Sequence, residues 1–170
     1  MAKSQIDSSD KLYLLHGRRE PQKDKGPAQL TSCMRHYLSM VKTQKHREAI
    51  TSIMLSTHQL AVEVLRYTDH AHQPVPRSER LCRLCRKEVE TPEHALITCE
   101  SSDKLVELRE TFLAKLLTEV PSLRGRMAEL SNTEFLKAII HPRSTIALVA
   151  KFAYEVLELF YETPVLRADN

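Results

Sequence analysis

Apolar residues recur at helical spacing along most of the chain. Leu30, Met34, Tyr37, Leu38 and Val41 fall at i, i+4, i+7, i+8 and i+11, which predicts a helix with one apolar stripe. Cys33 lies beside that stripe and reads as a small buried hydrophobe. A second helix is predicted over 44–55, with Ala49, Ile50, Ile53 and Met54 inward. Ser56-Thr57-His58-Gln59 has the form of a capping box, with Ser56 as the cap and Gln59 reaching back to its amide. Leu60, Ala61, Val64 and Leu65 then face inward on a third helix ending near Tyr67. Residues 68–78, with His70, His72, Pro74 and Pro76, read as a loop.

Farther along, Ser101, Ser102 and Asp103 supply caps for a helix running to about Val120. Its stripe is Leu105, Leu108, Phe112, Leu116 and Leu117, and Pro121 stops it. A short helix is predicted from Thr133 or Glu134 to Ile140, ended by Pro142. The last helix has the clearest pattern: Val149, Phe152, Ala153, Val156, Leu157 and Phe160 share one face, and Pro164 closes it after Tyr161. The reading is therefore all-α, a small helical domain with a metal-stapled segment between helices. Residues 1–28 are expected to be a disordered arm, since Arg18 to Pro27 has no apolar period and two prolines. Within that arm, Leu12 to Leu15 form a short docking turn. The helical domain spans 29–163, with a metal-binding module at about 76–100, and 164–170 are a tail.

Composition narrows the class. Three glycines, 5% aromatics and no Trp argue against a β-sandwich or barrel, and 42% hydrophobic residues can supply a core. No apolar run approaches the roughly 20 residues that a bilayer crossing needs, so no membrane partner is expected. The start, MAKSQIDSSDK, has no apolar stretch after its lysine, which points to a nuclear or cytoplasmic chain. The net charge of +3 is unevenly spread. Residues 33–87 hold 10 Lys/Arg against 4 Asp/Glu, and residues 88–170 hold 9 against 14. That bias is either ordinary solvation or a phosphate-binding surface in the middle of the chain.

Chemistry concentrates in one segment. Cys82, Cys85, His94 and Cys99 are spaced C-x2-C-x8-H-x4-C. Three thiolates and an imidazole match the donors Zn²⁺ takes in four-coordinate sites, and a set closed by protein is structural rather than hydrolytic. Thr91 fits a helix cap, Pro92 the first helical position, and Glu93 the positive helix end. His94 and Cys99 are five apart, about 140° on an ideal α-helix. Cys99 is therefore expected in a frayed or tightened last turn that swings it back toward the ion. His70 or His72 is the alternative fourth ligand, at a spacing that fits less well. Arg80, Arg83, Arg86 and Lys87 can offset the net −1 of the loaded centre. A redox C-x-x-C is the rival, but no strand pattern precedes Cys82.

These residues resemble the zinc-binding module at the C-terminal end of non-LTR retrotransposon reverse transcriptases, as in stand-alone fungal proteins that carry it. The matching run is Cys82, Cys85, Glu90-Thr91, Glu93-His94, Leu96 and Cys99, preceded by Leu55-Ser56-Thr57-His58-Gln59-Leu60. The match covers about residues 45–110. The resemblance implies zinc at Cys82, Cys85, His94 and Cys99, together with nucleic-acid binding. It does not imply polymerase activity, because no Tyr-x-Asp-Asp motif occurs and 170 residues cannot hold that domain. The chain then looks like a detached remnant or a domesticated module.

Two functions follow. A non-catalytic nucleic-acid-binding module would meet RNA or DNA phosphates with Arg77, Arg80, Arg83, Arg86 and Lys87, with Lys42, Lys45 and Arg47 nearby and Tyr37 and Tyr67 as the available stackers. The alternative is a zinc-stabilised structural or interaction module, docking a protein on the amphipathic C-terminal helix. Catalysis is not expected. His58 reads as a turn residue, His70 and His72 with Asp69 as a solvent-facing loop, and nothing orders a triad.

Overall fold

The helix with the strongest apolar face becomes the centre of the molecule. The computed structural model describes residues 2–17, 35–68 and 73–167. They form helices α1 (Ala2–Asp7), α2 (His36–Met40), α3 (Gln44–Leu55), α4 (Ala61–Val64), α5 (Asp103–Glu119), α6 (Leu123–Arg126), α7 (Asn132–Ile140) and α8 (Ile146–Tyr161). Tight 3-10 turns lie at Asp10–Leu15 and Arg77–Glu79, and a π-helical turn at His94–Thr98. The only β-pairing among the described residues is an isolated bridge. The fold is all-α, and no described helix is long and apolar enough to cross a membrane.

α3 and α5 pack along α8, while α2, α7 and the π-turn also contact it. The predicted inward positions of α3 and α8 are buried without exception. On α5, Leu105, Phe112 and Leu116 are buried, and Leu108 and Leu117 pack partly buried against the core. Phe112 of α5 stacks on Phe152 of α8, their ring centroids 4.1 Å apart. The apolar face of α8 that the sequence offered to a protein partner is thus consumed by the chain's own core. Ser131 and Glu134 form a reciprocal capping box at the start of α7.

Three expectations are corrected. First, part of the expected arm is ordered. Residues 2–17 form α1 and the 3-10 turn, which buries Leu14 and Leu15 in the core. The docking turn is held by Ser56 Oγ, which donates to the Lys11 carbonyl, and by His16 Nε2, which donates to the Ser9 carbonyl at 2.8 Å. Residues 18–28 of the arm lie outside the described residues.

Second, α2 has only five residues, and Leu38 points outward while Tyr37 and Val41 are buried. Val41 is already extended, so the chain leaves the helix before the stripe is complete. Leu30, Cys33 and Met34 lie outside the described residues.

Third, Ser56 does not cap the helix that follows. It ends α3 in a left-handed conformation, φ 50°, with its own amide and that of Thr57 turned back onto α3. α4 is a single turn, and its Ala61 amide instead donates to Glu90 Oε1 at 2.7 Å. A carboxylate 29 residues away in the chain holds the helix start that the sequence assigned to its neighbours.

Candidate metal centre

The first half of the centre is a tight hairpin. Leu81 and Val89 form the antiparallel bridge, with Cys82 N donating to Glu88 O (2.8 Å) and Glu90 N to Arg80 O (2.9 Å). Arg86 N donates back to Cys82 O at 2.8 Å, closing the turn that sets the first two thiols side by side. Arg86 makes that turn at φ 59°, a conformation an L-residue adopts at some cost.

The second half begins at Thr91, whose Oγ1 accepts from His94 N at 3.2 Å, as its position before Pro92 implies. The backbone then widens. Cys99 N donates to His94 O at 2.8 Å, an i→i+5 bond that brings residue five over residue one. The last turn is therefore widened rather than frayed or tightened. This widening resolves the 140° mismatch that an α-helix would leave between His94 and Cys99.

Together the two halves bring the four predicted ligands into one cluster whose donor atoms lie within 4.8 Å of one another. Cys82 Sγ and Cys99 Sγ are 3.8 Å apart, and Cys85 Sγ and His94 Nε2 are 3.3 Å apart. Cys82, Cys99 and His94 are buried, and Cys85 is half-buried. Thr98 Oγ1 lies 3.2 Å from His94 Nδ1, which fixes the ring with Nε2 toward the thiols. This cluster can hold a metal ion. His70 and His72, the alternative ligands, lie outside the described residues.

The surroundings favour thiolate. The hydrogen bond from Cys82 holds the Cys99 thiol well below its ordinary range, helped by His94 and Ser101 against the effect of burial. The same bond, with burial, pushes the Cys82 thiol up. Burial would raise Cys85, but the amides of Lys87 and Glu88, then Cys82 and His94, outweigh it and bring it down. Burial opposes charge on His94 too, yet Cys99 and then Cys85 raise it. A cation placed among these sulfurs displaces the protons they carry.

The basic residues do not all stand where the sequence put them. Arg83 is buried and cannot meet phosphate. Its Nη2 donates to Glu90 Oε1 (2.8 Å) and to Gln59 O, its Nε to both Glu90 oxygens, and its Nη1 to Phe160 O (3.2 Å) and Thr163 O (2.9 Å). Arg80 is half-buried, with Nε on Val75 O and Nη1 on Val62 O, both at 2.8 Å. Arg77, Arg86 and Lys87 are exposed.

The sequence reading overlooked Arg109. On α5 its Nε donates to Leu96 O (3.1 Å) and its Nη2 to Cys99 O (2.7 Å), clasping the end of the π-turn and placing a positive charge beside Cys99. A signal existed: Arg109 is a cation four residues after Leu105 and three before Phe112, on the inward stripe.

Next to the centre lies a cleft of about 810 Å³, whose lining includes Arg66, Arg77 and Arg80 together with Asp10, Glu63 and Glu93, and Tyr13 and His58. His58 is the turn residue expected, its Nδ1 accepting from Leu60 N. Burial is the main cause that lowers its pKa, to about 4. The folded chain thus holds His58 neutral where the unfolded chain, near 6.5, would protonate. Its contribution is complete above about pH 6.5 and is lost as pH falls toward 4. We expect the stability advantage of the native chain over His58→Gln to shrink by about 2 kcal/mol between about pH 7 and pH 5. Urea titrations at the two pH values measure this, and a gap that does not change with pH would refute it. Asp69, His70 and His72 of the neighbouring loop lie outside the described residues.

None of the known protein families, curated proteins or solved structures with which the chain was compared matches it, so the character of this centre is carried by its own donor atoms.

Proposed function

We propose that the chain is a zinc-stapled, non-catalytic binding module of the type found at the C-terminal end of non-LTR retrotransposon reverse transcriptases, and that its ligand is nucleic acid. The observation that carries the metal part is the convergence of Cys82, Cys85, His94 and Cys99 on one point. Zn–S bonds of about 2.3 Å at tetrahedral angles place sulfurs about 3.8 Å apart, and the Cys82–Cys99 separation is 3.8 Å. Soft thiolates with one imidazole favour zinc over hard cations. Four protein donors fill the shell, so the ion holds the knuckle against α4 and α8 and leaves no position for substrate.

The nucleic-acid part is supported by the cations left at the surface, Arg77, Arg86 and Lys87, with Arg80 half-buried among them. Docking a protein on the apolar face of α8 is the less favoured reading, because that face is internal. Metal analysis of protein purified without chelator is expected to give one zinc per chain. The loaded protein should then bind oligonucleotides with an affinity that falls steeply with salt. Replacing Arg77, Arg86 and Lys87 together by Gln should flatten the single-strand salt slope by about 2, at about 0.7 for each contact. Absence of metal would overturn the first part, and absence of binding at low salt the second.

A further inference from the structure

The strongest unexplained feature outside the metal cluster is the cation-rich edge of the 810 Å³ cleft and the aromatic ring beside it. Arg66 comes from the end of α4, and Arg77 and Arg80 from the 3-10 turn Arg77–Glu79 and the residue after it. The bonds that Arg80 makes go to neutral carbonyls of Val75 and Val62, so no carboxylate balances its charge through them. Burial, then the like charges of Arg66 and Arg77, makes that guanidinium less willing to hold its proton, with the Glu63 carboxylate opposing them in part. An anion placed among the three would relieve that repulsion.

Tyr67, next to Arg66 in the chain, is 55% exposed, an unusual position for a ring of that size. Lys11 Nζ lies 5.7 Å from its centroid and Arg66 Cζ 5.8 Å, and Lys11 Nζ also reaches the Tyr67 hydroxyl at 3.4 Å. An exposed aromatic ring with cations over it, next in the chain to an arginine of the cleft, is the kind of platform on which proteins hold single strands. A base stacks on the ring and its phosphates lie along the cations. Asp10, Glu63 and Glu93 share the cleft with these cations, and the last two are engaged. Glu63 Oε1 pairs with Arg66 at 3.5 Å, and Glu93 Oε1 accepts from Thr133 Oγ1 at 2.8 Å. Glu63 Oε2 is buried and has no partner among the described residues, an acceptor facing a nucleotide's hydroxyl or amine.

We propose that this edge is a single-strand nucleic-acid site in which a base stacks on Tyr67 and the adjoining phosphates are held by Arg66, Arg77 and Arg80. The inference rests on the nucleic-acid reading above and names the place where it acts. It extends the binding surface from the exposed knuckle cations Arg86 and Lys87 into the cleft between the knuckle and α4. The knuckle then serves as the support that fixes Arg77 and Arg80 opposite Arg66. A duplex, its bases already stacked on one another, has no free face to offer Tyr67.

The test uses the full zinc-loaded chain and a short fluorescein-labelled single strand, as RNA and as DNA, with the matching duplex as a third probe, read by anisotropy. Tyr67→Ala should weaken single-strand binding about tenfold, within the range for losing one base–aromatic stack, with its salt slope unchanged. Arg77→Gln and Arg66→Gln should each flatten that slope by about 0.7. Lys115→Gln, an exposed cation on α5, sets the background for losing any positive charge. Thermal melts confirm that these surface variants stay folded. Single-strand binding by the parent chain that Tyr67→Ala and the two arginine variants leave at the Lys115→Gln level would overturn this site while the broader reading stands. Failure of the parent chain to bind any probe would remove both. Equal affinity for duplex and single strand would also overturn the stacking assignment.

Discussion

Stripping the metal, by chelation or by Cys85→Ser, is expected to lower the melting temperature by about 10–20 °C and to open residues 76–100 to proteolysis while α5 to α8 stay protected. The size follows from what the ion replaces. Small domains whose core is the metal owe it about 10–16 kcal/mol and unfold without it. Here α3, α5 and α8 bury their own apolar faces, so the bundle does not depend wholly on the ion. The loss falls on the knuckle, which has one isolated β-bridge and whose buried apolar residues, Ala95 and Leu96, lie beside the ligands Cys82, His94 and Cys99. About 5 kcal/mol is a reasonable share, and in a domain of this length each kcal/mol moves the midpoint by about 2–4 °C. Zinc stoichiometry, differential scanning calorimetry and mass mapping of the first proteolytic cut measure the three parts. An unchanged melt after complete chelation would show that the cluster is packing and not a metal site.

Arg83→Met is expected to cost about 3–5 kcal/mol in the zinc-loaded chain, as the loss of one member of a buried ion pair does. Arg83 and Glu90 are almost wholly removed from solvent, with side-chain exposures of 4% and 0%. Glu90 also accepts from Ala61 N and, at 2.6 Å, from Arg83 N. Removing the guanidinium leaves a buried carboxylate without its cation, and the carbonyls of Gln59, Phe160 and Thr163 without that donor. Arg83→Lys should recover little, since one ammonium cannot reproduce a planar fork that reaches three segments. Arg83→Met combined with Glu90→Gln should be more stable than Arg83→Met alone, because the amide oxygen keeps the bond to Ala61 and the orphaned charge is gone. Urea midpoints at saturating zinc decide it. A cost below about 1 kcal/mol for Arg83→Met, or no recovery in the double variant, would show that the pair is not the linchpin joining the knuckle to α4 and α8.

That ion pair also shows where a sequence reading stops. From the chain alone, Arg83 was one of five equivalent cations around the cysteines, and its neighbours Arg80, Arg86 and Lys87 gave no reason to separate it. Arg83 differs from Arg86 because the hairpin points it inward, toward residues 59, 90, 160 and 163, and no local pattern encodes that meeting. The start of α4 has the same cause. Ser56 and Gln59 have the spacing of a capping box, but Ser56 was needed to end α3 and to bind Lys11, and Glu90 arrived to hold Ala61.

Periodicity and ligand spacing, by contrast, are short-range properties, and those the sequence settled. The apolar repeats of α3, α5 and α8 need one buried side each, so their helices and stripes were legible before any packing was known, and α7 was legible as a short helix stopped by Pro142. Cys82, Cys85, His94 and Cys99 were legible because the choice and spacing of soft donors is itself the signal for a metal centre. Only the tertiary structure decided that the last two ligands meet through a widened turn, that Arg109 clasps it, and that one arginine serves the interior while Arg66, Arg77 and Arg80 edge a cleft. The physical reason is common to all three. Burying a charge or satisfying a helix end requires partners, and here most of those partners lie a dozen to eighty residues away, brought together only when the bundle closes.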